Sequence, residues 1–166
     1  MNCVLIFAGG TGQRMNTRSR PKQFMELHGK PIIVQTIEAF EFHPDIDAIV
    51  VACLEEWIPF LQRQLRRYDI EKVVDVVPGG PTGQASIRNG VEGLAARFPG
   101  DAVVLVHDGV RPLVDRDTIS ACTLNTRRRC SIAFSSFSMQ SVSTRVSLLS
   151  SITYGVRVIC SPAFTA

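Results

Sequence analysis

The glycine-rich run Ala8–Met15 has the composition of a loop that binds phosphate. Three glycines, Gly9, Gly10 and Gly12, fall within four positions. Glycine lets a backbone approach a phosphate closely and turn its N–H groups toward it. The run does not continue as a Walker loop, and it lacks the third glycine and the acidic residue of a dinucleotide fingerprint. Taken alone, it fits phosphate binding and an ordinary strand-to-helix turn about equally well.

Two cationic side chains beside this run favour phosphate binding. Arg14 lies within it, and Lys22 follows directly after Pro21. Positive charges on both sides of a loop of backbone donors can stabilise the negative charge that develops when an α-phosphate is attacked. A solvated surface lysine is the alternative for Lys22, but the chain has only three lysines and this one adjoins a rigid proline. We therefore predict a triphosphate site with Arg14 and Lys22 as its catalytic cations.

A second loop, Pro78–Ser86, contains Gly79 and Gly80 and leads from an apolar run into a helical pattern. A helix N-terminus and the Ser86 hydroxyl could hold a base or a ribose by hydrogen bonds. Alternatively, Ser86 serves only the first turn of its own helix. Both roles are compatible with the sequence.

A third loop, Val106–Pro112, contains an acidic residue, Asp108, close to the end of an apolar run. Asp108 is placed to hold Mg²⁺, which usually binds one or two carboxylates together with phosphate oxygens. His107 is interpreted as a packing or hydrogen-bonding residue, since no further ligands stand near it in the sequence. Arg111 either pairs with Asp108 or binds substrate phosphate, and we favour the pairing.

The elements that position these loops alternate between strand and helix patterns, which predicts an α/β fold with a mostly parallel sheet covered on both faces. Ligands of such sheets bind beyond the carboxyl ends of the strands, where all three loops fall. The predicted strands are Val4–Ala8, Ala48–Cys53, Val73–Val77 and Ala102–Val106. The predicted helices are Pro31–Phe42, Glu55–Tyr68 and Ala85–Phe98, with Asp117 as the cap of another.

Composition excludes several classes of protein. Hydrophobic residues make up 45% and charged residues 20% of the 166 residues, and no segment has the roughly 20 consecutive apolar residues of a membrane span. The N-terminus lacks the basic region of a signal peptide, so we expect a cytoplasmic protein. The five cysteines form no CxxC pair, which argues against zinc and disulfides. The net charge of +3 comes from the last third, so we expect no nucleic-acid partner.

The character of the chain changes after residue 117. All fifteen acidic residues lie at or before Asp117, and a serine-rich stretch follows Arg127–Arg129. We therefore divide the chain into a nucleotide-binding domain, 1–120, and an atypical tail, 121–166, that is out of frame or truncated. Without native later strands, the sheet would be left with an unpaired edge.

The segments Ala8–Met15, Pro21–Phe24 and His107–Pro112 together resemble the IspD/TarI cytidylyltransferase family over residues 2–120. The resemblance implies a Rossmann-like, three-layer nucleotidyltransferase fold, incomplete at the C-terminus. It also implies transfer of CMP from CTP to 2-C-methyl-D-erythritol 4-phosphate or D-ribitol 5-phosphate, with release of pyrophosphate. The Thr11 form of the glycine run is closer to the ribitol-phosphate branch.

The resemblance also implies a role for each site residue. The CTP phosphates would be wrapped by Ala8, Gly9, Gly10 and Gly12. Arg14 and Lys22 would stabilise the transition state, and Asp108 would bind Mg²⁺. The cytosine and ribose would be contacted by Gly79, Gly80 and Ser86.

The departures concern the C-terminal part. The family is homodimeric, and its dimer arm, a second metal-binding aspartate and a late lysine have no counterpart here, so we expect impaired activity. Two alternatives stay open: a non-catalytic nucleotide-binding fragment, and a sugar-phosphate nucleotidyltransferase that uses another nucleoside triphosphate.

Overall fold

A computed structural model describes residues 1–9, 20–98, 102–129 and 156–160, with only the backbone described for 125–129 and 156–160. These described residues form seven strands, of which five make one sheet and two make a small hairpin. In chain order they are β1 (Asn2–Ala8), β2 (Glu26–Leu27), β3 (Lys30–Pro31), β4 (Ala48–Cys53), β5 (Val73–Pro78), β6 (Ala102–Asp108) and β7 (Val156–Cys160).

The five-stranded sheet has the order β5-β4-β1-β6-β7, and every neighbouring pair is parallel. Parallel sheets are usually covered on both faces, and β4 agrees with this: all six of its residues, Ala48–Cys53, are buried. The predicted mostly parallel α/β architecture is thus confirmed, and the four predicted strands are all present. β1 begins two residues earlier than predicted, and β5 and β6 end one and two residues later.

Four α-helices connect the strands of the large sheet. They are α1 (Ile32–Glu41), α2 (Ile58–Arg67), α3 (Gly83–Arg97) and α4 (Arg116–Arg129). The predicted helix Glu55–Tyr68 is divided: Glu55–Trp57 is a 3-10 turn, and α2 begins at Ile58, just before Pro59. A proline is tolerated in the first turn of a helix but not in its interior, so it marks where α2 begins.

The helices lie in two layers on either side of the sheet. On one face, α1, α2 and α4 pack through Ile37, Leu61 and Ile119 against a core that includes Val4 and Ile6 of β1. On the other face, α3 packs against the alternate residues of the same strands. This alternation follows from the two-residue period of a strand. The result is the predicted three-layer arrangement.

The hairpin of β2 and β3 was not predicted. Its turn places His28 at φ 54° and Gly29 at φ 77°, the left-handed conformations that a two-residue hairpin turn needs. The antiparallel register pairs Glu26 with Pro31. Because each strand has only two residues, no alternation was visible in the sequence.

The start of α4 corrects one prediction. Asp117 lies inside the helix and is not its cap. The carboxylate of Asp115 instead accepts hydrogen bonds from the backbone N of Thr118, at 2.7 Å, and from its hydroxyl, at 2.8 Å. Both residues are aspartates before a helical pattern, so the choice was off by two positions, the usual error for element ends.

The last third of the chain also differs from expectation. α4 continues without a break across residue 120 to Arg129. Beyond it, β7 pairs in parallel with β6, with Ala102 opposite Val156 and Val106 opposite Cys160. The expectation of an unpaired edge at β6 is therefore wrong, since backbone hydrogen bonds of a strand can be satisfied by segments of unusual composition.

Candidate functional site

The three predicted loops leave the sheet at the same edge. In the register of the sheet, Ala8 of β1 lies opposite Cys53 of β4, which in turn lies opposite Pro78 of β5. Asp108, the last residue of β6, lies opposite Phe7. Because all these strands are parallel, their carboxyl ends meet, and the loops that follow them are neighbours.

The first and second loops touch at their glycines. A Cβ atom on Gly79 would lie 3.4 Å from the Cα of Gly9 and 3.1 Å from the Ser86 Oγ. A Cβ atom on Gly9 would lie 2.7 Å from the same Ser86 oxygen. Only glycine fits at such a backbone approach. The structure thus brings together Gly9, Gly79 and Ser86, which lie far apart in the sequence.

The Ser86 hydroxyl organises the second loop from within. Its oxygen accepts a hydrogen bond from the Gly80 N at 3.0 Å and donates to the Thr82 carbonyl at 3.0 Å. Ser86 is fully buried. The helix cap is Thr82, whose Oγ1 accepts from the Ala85 N at 3.1 Å, and Ser86 serves the first turn of α3 through its bond to the Thr82 carbonyl. Ser86 fixes the Gly79–Gly80 backbone that any ligand at this edge would meet.

Gly80 is also closely packed. Its position leaves no room for a side chain, since a Cβ would lie 2.3 Å from the Cβ of Ala85. The neighbouring Gly79 N donates to the Cys53 carbonyl at 2.6 Å, which attaches the loop to the end of β4. The backbone of this loop is therefore preorganised.

Lys22 lies in a 3-10 turn, Lys22–Phe24, that is attached to the end of β1. The Gln23 Nε2 donates to the Ala8 carbonyl at 2.6 Å, and both residues are buried. Phe24 is buried and stacks on Trp57, with ring centroids 4.6 Å apart and an interplanar angle of 13°. Lys22 itself is half-buried, and no ion pair among the described residues involves it. Its position next to β1 is thus fixed by its two neighbours.

Arg20 belongs to the border of this turn. Its Nη1 lies 3.4 Å from the Glu26 Oε1, and its guanidinium lies 5.6 Å from the centre of the Phe60 ring. Both contacts are partly exposed. Surface pairs of this kind contribute little to stability, so we read them as orienting the chain that enters the Lys22 turn.

Asp108 is the carboxylate at this edge of the sheet. Its Oδ1 accepts from the Val110 N at 3.1 Å, and its Oδ2 lies 3.4 Å from the Arg111 Nε. The favoured pairing of Arg111 with Asp108 is therefore confirmed. The Asp108 side chain is 25% exposed, which leaves part of it open to a ligand. The following residue, Gly109, packs against β1, where an added Cβ would lie 2.9 Å from the Ala8 Cβ.

His107 is a packing and hydrogen-bonding residue, as predicted. It is buried, its ring lies edge-on to Phe40 at 5.1 Å, and its Nε2 lies 2.9 Å from the Arg111 carbonyl. A carbonyl only accepts, so Nε2 carries the proton and Nδ1 is the bare nitrogen. Burial lowers the pKa of His107 from its ordinary value, with the Arg111 hydrogen bond acting in the opposite direction. Among the described residues, the Nδ1 atom is buried without a hydrogen-bond partner.

Three predicted site residues, Gly10, Gly12 and Arg14, lie outside the described residues. Their roles stay predictions. Among the others, Ala8, Gly9, Gly79, Gly80, Lys22, Ser86 and Asp108 all lie at the carboxyl edge of the sheet.

The Lys22 turn and the Asp108 turn both contact Ala8. Its carbonyl binds the Lys22 turn through Gln23, and its methyl group contacts the Asp108 turn at Gly109. The next residue, Gly9, contacts the Ser86 loop. The segments that carry Lys22, Asp108 and the Gly79–Gly80 backbone thus meet at Ala8 and Gly9.

The residues fit a magnesium ion that binds together with a nucleotide. Among the described residues, no group of three or more His, Cys, Asp or Glu side chains is placed to hold a metal ion. Asp108 offers one partly exposed carboxylate, and Mg²⁺ commonly uses one or two carboxylates and completes its shell with substrate phosphates and water. The site therefore suits magnesium as part of a metal–nucleotide complex.

Two residues that position this site were missed in the sequence. Gln23 and Thr36 are buried polar residues that bind the backbone of the loops. Thr36 lies inside a helical pattern, where a polar residue on the apolar face was the available signal. Gln23 follows Lys22 in a loop, where a glutamine is ordinarily solvated.

The comparisons with known proteins agree with this geometry. The sequence model of the IspD family, 2-C-methyl-D-erythritol 4-phosphate cytidylyltransferase, matches residues 2–147, further than the 2–120 that the motifs indicated. The chain is 52% identical over 120 residues to ribitol-5-phosphate cytidylyltransferase of Vibrio parahaemolyticus, covering 72% of this chain and 50% of that protein. It is 42% identical over 118 residues to 2-C-methyl-D-erythritol 4-phosphate cytidylyltransferase of Clostridium botulinum, covering 71% and 50%.

Solved structures show the same fold. The 2-C-methyl-D-erythritol 4-phosphate cytidylyltransferase of Francisella tularensis superposes with a TM-score of 0.58 at 31% identity, covering 76% of this chain and 52% of that one. The chain spans about half the length of the curated relatives that it matches. None of the helices formed by the described residues has both the length and the apolar character needed to cross a membrane. By its sequence match over most of its length, this chain belongs to the IspD cytidylyltransferase family.

Proposed function

We propose that this chain binds CTP with Mg²⁺ and transfers CMP to the phosphate of a polyol phosphate, releasing pyrophosphate. One observation carries the proposal: the Lys22 turn, the Asp108 turn and the Ser86 loop all meet at Ala8 and Gly9. Loops at the carboxyl end of a parallel sheet are neighbours in any case; what supports the proposal is that these loops carry a lysine, a carboxylate and closely packed glycines. Relatives that share this part of the chain carry the names of cytidylyltransferases.

The transfer needs positioning and charge stabilisation, without a protein nucleophile. A phosphate oxygen of the polyol phosphate attacks the α-phosphorus of CTP and forms the new P–O bond. The bond from the α-phosphorus to the bridging oxygen breaks, and pyrophosphate leaves with the electron pair. Negative charge grows on the α-phosphate oxygens, where the Lys22 ammonium and the Arg14 guanidinium would stabilise it.

The glycines would supply the nucleotide site. The backbone N–H groups of the Gly9–Gly12 run would hold the phosphates, and the Gly79–Gly80 backbone would face the cytosine and ribose. The buried Ser86 hydroxyl keeps that backbone in place. Asp108 would hold the magnesium ion, which when bound neutralises phosphate charge.

D-Ribitol 5-phosphate is the acceptor that we favour over 2-C-methyl-D-erythritol 4-phosphate. Curated relatives named ribitol-5-phosphate cytidylyltransferase include two at 52% and 51% identity. Two relatives named for methylerythritol phosphate are 42% and 44% identical. Pyrophosphate release measured with each acceptor would decide between them. We place the reaction in the cytoplasm, where CTP is available.

Fluorescence of Trp57 provides a direct test of nucleotide binding. It is the single tryptophan of the chain, and it stacks on Phe24, two residues from Lys22. Titration with CTP, UTP, GTP and ATP in the presence of Mg²⁺ should give a saturable change with CTP at the lowest concentration. A preference for another triphosphate would support the alternative of a different sugar-phosphate nucleotidyltransferase.

Lys22→Ala is the matching variant for catalysis. Removing one preorganised cation should lower the rate of pyrophosphate release about 100-fold or more. Arg66→Ala removes an exposed cation of α2 and should leave the rate unchanged. If the native chain binds CTP but releases no pyrophosphate with either acceptor, the non-catalytic alternative is correct.

A further inference from the structure

The turn that follows β6 is held at its backbone from two elements. The Gly109 N donates to the Phe7 carbonyl of β1 at 3.0 Å. On its other side, the Gly109 carbonyl lies 3.1 Å from the Thr36 hydroxyl of α1, a residue 73 positions away in the chain. Asp108 is the first residue of this turn, so whatever fixes Gly109 also fixes the carboxylate beside it.

Thr36 is placed to act on this turn. Its side chain is fully buried, and its hydroxyl lies at the same distance, 3.1 Å, from the Ile32 carbonyl one turn earlier in α1. The Ile32 carbonyl already accepts the backbone N–H of a regular helix at this position. The Thr36 hydroxyl has a single proton to donate. A bond to Ile32 would add nothing that the helix lacks, whereas a bond to Gly109 connects two parts of the fold.

A second contact joins α1 to the same turn. Phe40 lies four residues after Thr36, on the same face of α1. Its ring packs edge-on against His107, whose Nε2 donates to the Arg111 carbonyl at 2.9 Å. Gly109 and Arg111 of this turn are thus both held through α1, Gly109 by Thr36 and Arg111 by way of His107 and Phe40.

We propose that Thr36 is a positioning residue that orients the Asp108 carboxylate for binding of magnesium with the nucleotide. This inference rests on the proposed function, in which Asp108 holds that ion. Without the Thr36 hydroxyl, the Gly109 carbonyl loses its link to α1 and the turn gains freedom. The turn keeps the Gly109 N bond to Phe7, and the carboxylate keeps its contacts with the Val110 N and Arg111, at 3.1 and 3.4 Å, but these two partners belong to the loosened turn itself.

Thr36→Val tests this because valine keeps the shape and removes the hydroxyl. Residues that orient a metal ligand typically contribute 10- to 100-fold to metal affinity, so the Mg²⁺ concentration needed for half-maximal CTP binding should rise about tenfold. Thr36→Ser retains the hydroxyl and should bind like the native chain. Asp108→Asn gives the reference for full loss of the ligand. Binding is followed by Trp57 fluorescence and by calorimetry.

Thr123→Val is the matched control. Thr123 is also a buried threonine on a helix, and among the described residues its hydroxyl donates to α4 alone, to the Ser120 carbonyl at 2.9 Å. Its loss should change stability without changing the Mg²⁺ requirement. If Thr36→Val and Thr123→Val have the same Mg²⁺ requirement as the native chain, Thr36 is merely structural and the inference is overturned.

The free protein supplies a readout that does not depend on a ligand. The Val110 amide donates to the Asp108 Oδ1, so its ¹H–¹⁵N resonance reports the orientation of the carboxylate. Thr36→Val should shift this resonance and speed its hydrogen exchange, and Thr123→Val should not. An unchanged Val110 resonance in Thr36→Val would contradict the inference.

A measurement on the native chain keeps the inference testable even if a variant does not fold. The Thr36 hydroxyl proton, buried and hydrogen-bonded, should exchange slowly and shift when Mg²⁺ is added to the CTP-bound protein. A hydroxyl resonance that does not move on this addition overturns the inference. If native CTP binding does not respond to Mg²⁺ and Asp108→Asn has no effect, the proposed function itself is wrong, and the inference falls with it.

Discussion

The Cα of Gly9 faces the hydroxyl of Ser86 so closely that a Cβ on Gly9 would lie 2.7 Å from the Ser86 Oγ. The two residues are 77 positions apart in the chain: Gly9 follows β1, and Ser86 lies in the first turn of α3. Ser86 cannot move aside at low cost, because its hydroxyl is buried and bonded to Gly80 and Thr82. The packing here thus requires that residue 9 has no side chain and that residue 86 has a hydroxyl.

Gly9→Ala should therefore destabilise the fold and weaken CTP binding. Overpacking of a buried contact usually costs about 1–3 kcal/mol, which urea denaturation would detect. Ser86→Ala should also destabilise, by about 1–3 kcal/mol, because it leaves the Gly80 N without its partner, whereas the Thr82 carbonyl keeps the backbone N–H of residue 86.

The double variant separates these effects. Removing the Ser86 oxygen makes room for the new methyl group, so Gly9→Ala should cost less in the Ser86→Ala background. Additive free energies of unfolding in this cycle would show that the two residues do not contact each other.

Substitution by alanine should change the free energy of unfolding in opposite directions at two glycines of α3. Gly90 lies against β1, where an added Cβ would be 2.2 Å from the Leu5 Cδ1, whereas a Cβ on Gly83 would meet nothing within 4 Å. Gly90→Ala should lower the free energy of unfolding by about 1–3 kcal/mol or more. Gly83→Ala should raise it by about 0.4–1 kcal/mol, since it reduces the freedom of the unfolded chain.

Urea denaturation of both variants compares them directly. A stable Gly90→Ala variant would mean that α3 packs further from β1 than the structure shows. The Gly83 variant provides the matched control because it is the same substitution in the same helix.

Buried thiols should resist alkylation. Burial raises the pKa of Cys53 to about 12, and burial with the nearby charge of Asp47 raises the pKa of Cys3 to about 11. The thiolate is the reactive form, and at pH 8 a group with pKa 11 is ionised in roughly one molecule per thousand. Iodoacetamide at pH 8 should leave both cysteines unmodified in the native chain and modify both in denaturant, as peptide mass spectrometry would show. Rapid native labelling of Cys53 would contradict the burial of β4.

The cap of α4 predicts a pH dependence. Hydrogen bonds from the Thr118 backbone N and hydroxyl lower the pKa of Asp115 below its ordinary value of 3.8. A carboxylate whose folded pKa is depressed stabilises the fold above its unfolded pKa, and loses that contribution as the pH falls toward the folded pKa. The stabilising contribution of Asp115 should therefore be lost at pH values below about 4–5.

Melting temperatures of the native chain and Asp115→Asn, measured between pH 7 and pH 3, would check this. Asparagine retains an oxygen that can cap the helix but does not titrate. The difference between the two proteins should therefore shrink as the pH falls. A constant difference across this range would show that Asp115 does not titrate with folding.

The sequence by itself determined the fold class and which residue types form the site. Buried parallel strands are recognisable because they are continuous apolar runs, so β4 was located without error. Gly79, Lys22 and Asp108 were predicted as site residues because glycines, a cation and a carboxylate stand in the loops beyond strand ends, where parallel sheets bind ligands. These are local features of the chain, and no tertiary contact is needed to recognise them.

Only the tertiary structure decided how those residues are held. That the Ser86 hydroxyl holds its own loop, and that Gln23 and Thr36 bind the loops at Ala8 and Gly109, depends on groups brought together from distant positions. The pairing of β7 with β6 was likewise hidden, because backbone hydrogen bonds form with little regard to side-chain composition. Spacing in the sequence does not specify a hydrogen bond across 73 residues, since that bond exists only once the core has packed α1 against the sheet.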